Sequence, residues 1–140
     1  MSLNSAGPAD TFHDPDVAAL ILERYAGMSA LFAQQASPEE VYDYLYWPEL
    51  VTTGEGLPCV FRGKENLMPT VAEFMAAMGT DCVWTSVDPI IVSGNLASSL
   101  MQVSCRYPDS PTVDYRAIYV WQKRGETWKV IHEMLCLGSV

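Results

Sequence analysis

Two histidines, four cysteines and seventeen acidic residues make up most of the reactive inventory of this chain. His132 and Glu133 stand side by side in a β-rich run, Thr127 to Leu137. Neighbours on a strand point to opposite faces, so both cannot turn inward without a bulge. A carboxyl buried among apolar side chains has its pKa pushed toward the range useful for acid or base work. A solvated strand glutamate and a structural histidine are the plainer alternatives. Asp114 and Arg116, two apart on one strand face, read as an ordinary ion pair. Cys59, Cys82, Cys105 and Cys136 show no CxxC spacing, so neither a zinc site nor a disulfide framework is signalled. Free, mostly buried thiols are expected, with no metal or other cofactor and with stability indifferent to reductant or chelator.

The elements that must position these residues come in two groups. Asp14-Pro15-Asp16 is a helix start, with a capping carboxylate, a proline at the first helical position and a second carboxylate facing the positive end of the dipole. Val17, Leu20, Ile21, Arg24, Met28, Leu31 and Phe32 follow at helical spacing to about Gln35. Ser37-Pro38-Glu39-Glu40 repeats the start signal with a capping box, for a short helix from Val41 to about Tyr46 that Trp47-Pro48 ends. Leu50 to Thr53 and Pro58 to Phe61 flank a Gly54-Glu55-Gly56 turn as two short strands. Lys64 to Met78 is a third helical stretch in which Pro69 marks a kink or a second start. From Asp81 the texture changes to long strands: Cys82 to Val92, Leu96 to Tyr107, Val113 to Lys123 and Thr127 to Leu137, separated by turn residues. Helices first and a meander afterwards make an α+β domain over residues 14–140, preceded by a loose arm, residues 1–13.

At 140 residues there is room for one domain, and a hydrophobic share of 49% against 18% charged supports a real core. The formal net charge of −9 works against nucleic acids and anionic membranes, whose phosphates need Lys and Arg. No charged n-region precedes an apolar stretch at the start, and no apolar run is long enough to span a bilayer, so a cytoplasmic location is expected.

Glu23-Arg24-Tyr25 in the first helix, Arg62-Gly63 at the start of the third, the run from Gly94 to Tyr107, and Trp128-Lys129-Val130-Ile131 leading to Gly138 resemble one family over nearly the whole chain. It is the ketosteroid isomerase and SnoaL-like superfamily, whose fold is shared with nuclear transport factor two. The resemblance implies three N-terminal helices packed in the concave face of a strongly curved, mostly antiparallel sheet, a cone with a pocket at its open end. Alternation then turns Met101, Val103 and Cys105 inward on one strand and Ala117, Tyr119 and Trp121 on the next. On the last strand the inward set is Ile131, Glu133, Leu135 and Leu137. Met28, Phe32, Trp47 and Phe61 complete the expected ligand-binding wall.

Tyr25 falls where the isomerases place a tyrosine that donates to a developing oxyanion. Their aspartate base aligns with Gly54, leaving Glu55 one residue on and facing away, and their protonated aspartate aligns with Tyr119. The catalytic candidates are therefore Tyr25 and Tyr119 as donors and Glu133, Glu55 or His132 as acid or base. Cys59 and Cys105 are weak nucleophile candidates without a base nearby. The resemblance implies a small hydrophobic ligand and an isomerase, cyclase or hydratase type of acid/base enzyme, with a noncatalytic binding or dimerisation module as the alternative. Both faces of the strand around Ile118 and Val120 are apolar, which points to a homodimer joined through the outer sheet face.

Overall fold

Asp14 opens helix α1 (Pro15–Ala33) as the sequence indicates, its carboxylate accepting the backbone N–H of Asp16 and Val17. The structure, a computed structural model, describes residues 12–78, 81–106 and 111–139. Most of the expected N-terminal arm lies outside them, but the Phe12 carbonyl accepts the Val92 N–H at 2.7 Å, so the chain is already tied down there. Ile21, Tyr25, Met28 and Phe32 form the buried stripe of α1, while Leu20, expected on that stripe, is exposed. Ser37 caps α2 (Pro38–Leu45) by accepting the Glu40 N–H, and the Glu40 carboxylate meets the Ser37 hydroxyl instead of the serine N–H.

Strand β1 (Tyr46–Gly54) begins directly at the end of α2. It is longer than the expected Leu50–Thr53, because an extended Trp47 before Pro48 suits a strand as well as it ends a helix. The return strand shrinks to β2 (Phe61–Arg62). Helix α3 (Lys64–Met78) runs unbroken through Pro69. The first long run of the meander splits into β3 (Asp81–Ser86) and β4 (Ile91–Ser93). Pro89 between them cannot donate to a ladder.

β5 (Leu96–Arg106), β6 (Val113–Arg124) and β7 (Thr127–Leu137) complete one open sheet in the order β2-β1-β7-β6-β5-β3, with β4 on β5. Among the described residues only the β1–β7 pairing is parallel, so the sheet is mixed, and the helices pack on it. No helix among the described residues is long and apolar enough to cross a membrane.

One irregularity decides what faces the core. Along β7, Trp128 and Val130 are buried, and strict alternation would turn His132 inward next. Instead the ladder shifts: Trp121 pairs with Val130, and Val120 pairs with His132. Ile131 is the extra residue of a β-bulge, which reverses the facing of everything after it. Glu133 therefore turns in and His132 out. Ile131 was expected inside and is the bulge residue; Leu137, also expected inside, is exposed.

Candidate functional site

A cavity of about 120 Å³ lies between α1, α2 and α3 and the buried sheet face. Its wall is largely apolar, with Met28 and Phe32 from α1, Val71, Phe74 and Met75 from α3, and Trp84, Val103 and Leu135 from the sheet. The polar groups on it are few: Tyr46, Thr52, Thr70, Tyr115, Tyr119 and Glu133.

Glu133 is 8% exposed, and both its oxygens are held. The Tyr46 hydroxyl donates to Oε1 at 2.8 Å and the Thr52 hydroxyl donates to Oε2 at 2.8 Å. Thr52 is Cα partner to Glu133 in the parallel β1–β7 ladder, so the backbone register sets this contact. Burial pushes the Glu133 pKa up from the ordinary carboxylate range, and the two hydroxyl donors pull part of the way back. An ionised carboxylate oxygen has room for two hydrogen bonds, so each keeps a lone pair for a further partner.

Tyr119 is the antiparallel partner of Glu133 on β6, and both side chains face inward. Such pairs hold their Cβ atoms roughly 4.5–5.5 Å apart. The Tyr119 oxygen accepts the Trp84 indole N–H at 3.0 Å, while its own proton has no protein acceptor among the described residues. Burial, then the Glu133 charge, pushes its pKa up, so it stays a donor across the ordinary pH range. A buried carboxyl and a neutral phenol thus stand side by side on an apolar wall.

No protein-family model and no curated protein matches the sequence. Among solved structures, an NTF2-like protein from Pseudomonas putida KT2440 superposes with a TM-score of 0.72 at 17% identity, over 89% of this chain and 88% of the other. A ketosteroid isomerase-like protein from Erwinia carotovora atroseptica SCRI1043 gives 0.71 at 15% identity, over 91% and 100%. A hexachlorocyclohexane dehydrochlorinase gives 0.65 at 14% identity, over 89% and 86%. The fold is NTF2-like. At these identities the likeness concerns the backbone.

Within this NTF2-like frame the residues singled out from sequence separate into three groups. Tyr119, Glu133, Met28, Phe32, Val103 and Leu135 meet at the cavity. Tyr25, Met101, Cys105 and Trp121 are buried in the core and do not line it. The Tyr25 hydroxyl is engaged there, 2.5 Å from Ser99 Oγ and accepting the Trp121 indole N–H at 3.2 Å. The third group lies elsewhere. His132 is exposed on the outer face. Glu55 is exposed and accepts the Leu137 N–H at 2.6 Å. Trp47 donates to the Gln122 carbonyl beneath Arg124 and Lys129, and Phe61 pairs with Thr52 across β1 and β2.

Gly54 has no space for the aspartate of the isomerases, since a Cβ there would stand 2.3 Å from the Leu135 carbonyl oxygen. Asp114 and Arg116 do not pair: Asp114 accepts from Ser104 Oγ at 2.7 Å and Arg116 donates to the Ser139 carbonyl. Cys59 is exposed and Cys136 half-buried, so only Cys82 and Cys105 are buried thiols. Tyr46, Thr52 and Trp84 are not among the residues singled out from the sequence. Leu50 and Thr52 share a face of β1, and that alternation was the available signal for Thr52.

Proposed function

We propose that the cavity binds a small, largely apolar molecule carrying one carbonyl or hydroxyl oxygen, and that Glu133 moves a proton on it while Tyr119 holds the oxygen. Support comes from the juxtaposition of a buried carboxyl, oriented by Tyr46 and Thr52, with a phenol whose proton is uncommitted among the described residues. Abstraction of a proton beside a carbonyl leaves charge on the oxygen, and a neutral donor in a dry site stabilises that charge. The carboxyl can return the proton at another carbon, giving an isomerisation, or assist loss of a leaving group. An engineered apolar cavity of about 150 Å³ holds benzene, so about 120 Å³ suits a single ring.

The test is deuterium uptake from heavy water into cyclohexenone and related single-ring ketones, followed by proton NMR. Uptake well above the buffer rate is expected. Binding without uptake would remove the proton-transfer step, and neither binding nor uptake across the series would remove the whole proposal.

Four free cysteines suit a reducing compartment, so the cytoplasm is the proposed location. The proposed partner is a second copy of the chain, docked on the outer sheet face. Ile118 and Met134 are adjacent there and 47% and 52% exposed, with Val51 and Val120 beside them. Light scattering should give about twice the 15.5 kDa chain mass, and Ile118→Glu should return the monomer. A monomeric wild type at micromolar concentration would remove the dimer.

A further inference from the structure

Cys82 on β3 and Cys105 on β5 are direct partners in the antiparallel ladder, and both side chains are buried, 2% and 0% exposed. Opposed residues in such a ladder hold their Cα atoms roughly 4.5–5.5 Å apart, inside the ~4.4–6.8 Å that a disulfide spans. The two sulfurs stand 2.8 Å apart. A covalent S–S bond therefore fits the strand spacing as it stands, with only a side-chain adjustment.

We propose that Cys82 and Cys105 are a redox pair that a peroxide closes into a cross-strand disulfide, fastening β3 to β5. The consequence follows from the sheet order. β3 ends the path, with β5 as its only strand neighbour on it. Trp84, which holds the Tyr119 phenol, lies two residues from Cys82 on the same strand. The cross-link fixes the strand that positions the cavity donor. The bond itself is independent of the proposed catalysis; only its effect on the cavity rests on that reading.

The chemistry balances with hydrogen peroxide as oxidant. One thiolate attacks a peroxide oxygen, the O–O bond breaks, and water leaves behind a sulfenic acid. The second sulfur attacks the first, and its proton departs with the hydroxyl as a second water. Two thiols and one peroxide become one disulfide and two waters. The hydrogen bond with Cys105, together with burial, pushes the Cys82 thiol up, so the pair reacts through local opening of the edge strand. Exposed Cys59 should react with an alkylating reagent first.

The experiment treats the protein with hydrogen peroxide at neutral pH, unfolds it in alkylating reagent, and maps the peptides without reduction. The expected result is alkylation at Cys59 and Cys136 alone and a peptide joining Cys82 to Cys105. The bond joins residues 23 apart in sequence, for which a rise in melting temperature of about 5–10 °C is expected, reversed by dithiothreitol. Cys59→Ser with Cys136→Ser should leave this behaviour intact, and Cys82→Ala or Cys105→Ala should abolish it. Four alkylated thiols, sulfinic acid at either position, or a linkage through Cys59 or Cys136 would overturn the proposal. Mapping of the wild type decides this even if the alanine variants fold poorly, and it does so whether or not the protein exchanges deuterium into a ketone.

Discussion

Glu133→Gln is expected to lower deuterium exchange on a cavity-bound ketone by about 10²–10⁴-fold, the usual contribution of a positioned general base, while raising stability at neutral pH. The amide keeps the shape of the carboxyl and can accept one hydroxyl and donate to the other, so Tyr46 and Thr52 retain partners. What it lacks is a charge. Burial raises the carboxyl pKa in the folded state. Between the unfolded and folded values the native protein holds a proton that the unfolded chain has released, so stability falls as pH rises. The contribution is complete below the unfolded value and gone once pH has passed the folded one. The advantage of Glu133→Gln over wild type should grow through that window and then level off. Wild-type exchange should rise over the same window, because only the ionised carboxylate is a base. Urea unfolding at a series of pH values, set beside NMR exchange rates, checks both halves. A variant with full exchange and a stability difference independent of pH would mean that Glu133 is neither the base nor desolvated.

How much of this site was legible in the sequence depended on the range of the interaction that fixes each part. Helix starts at Asp14 and Ser37 are decided within a few residues, and both stand where their caps put them. Strand facing is decided by alternation, a rule that holds only until a bulge. The family resemblance, with one parity over the whole of β7, turns Glu133 and Leu135 inward. Before the bulge Trp128 and Val130 carry the opposite parity, so it fails at Ile131; Leu137 keeps the parity of Glu133 and is exposed at the end of the strand. No local feature of Val130-Ile131-His132 marks the extra residue; its cause lies in the pairing with β6.

Tyr25 shows a further limit. A resemblance can locate a tyrosine on a helix, yet its hydroxyl partners, Ser99 and Trp121, lie 74 and 96 residues away. Whether a phenol is committed to the core or free to serve a ligand is a property of those distant strands. The same holds for Cys82 and Cys105, which the β3–β5 register brings together and which no spacing motif announces. Thr52 and Tyr46 were missed for a simpler reason. The strand expected at Leu50 to Thr53 stops short of Tyr46, and a threonine among apolar neighbours reads as a strand former before it reads as a ligand to a carboxylate.

Trp121→Ala is expected to cost about 3–5 kcal/mol of folding stability, the range for removing a buried tryptophan, against a total of about 5–15 kcal/mol for a domain. Trp121 is 0% exposed and heads the fully buried side chains by volume. Its ring meets Tyr25 edge-on at 5.2 Å and an interplanar angle of 83°. Its indole N–H is shared between the Tyr25 hydroxyl at 3.2 Å and Ser99 Oγ at 3.1 Å. After truncation those two hydroxyls still satisfy each other at 2.5 Å, so most of the loss is packing and the void left behind. Tyr25→Phe separates the polar part. It leaves Trp121 and Ser99 bonded to each other and should cost only about 0.5–1.5 kcal/mol, the net worth of a hydrogen bond. Because Tyr25 does not line the cavity, that variant should bind oxygenated and hydrocarbon ligands as the wild type does. Urea unfolding and calorimetric titration with a ketone and its hydrocarbon analogue measure the two quantities separately. Selective loss of the oxygenated ligand in Tyr25→Phe would return the phenol to the cavity, and a small stability loss in Trp121→Ala would mean that its surroundings collapse to fill the space.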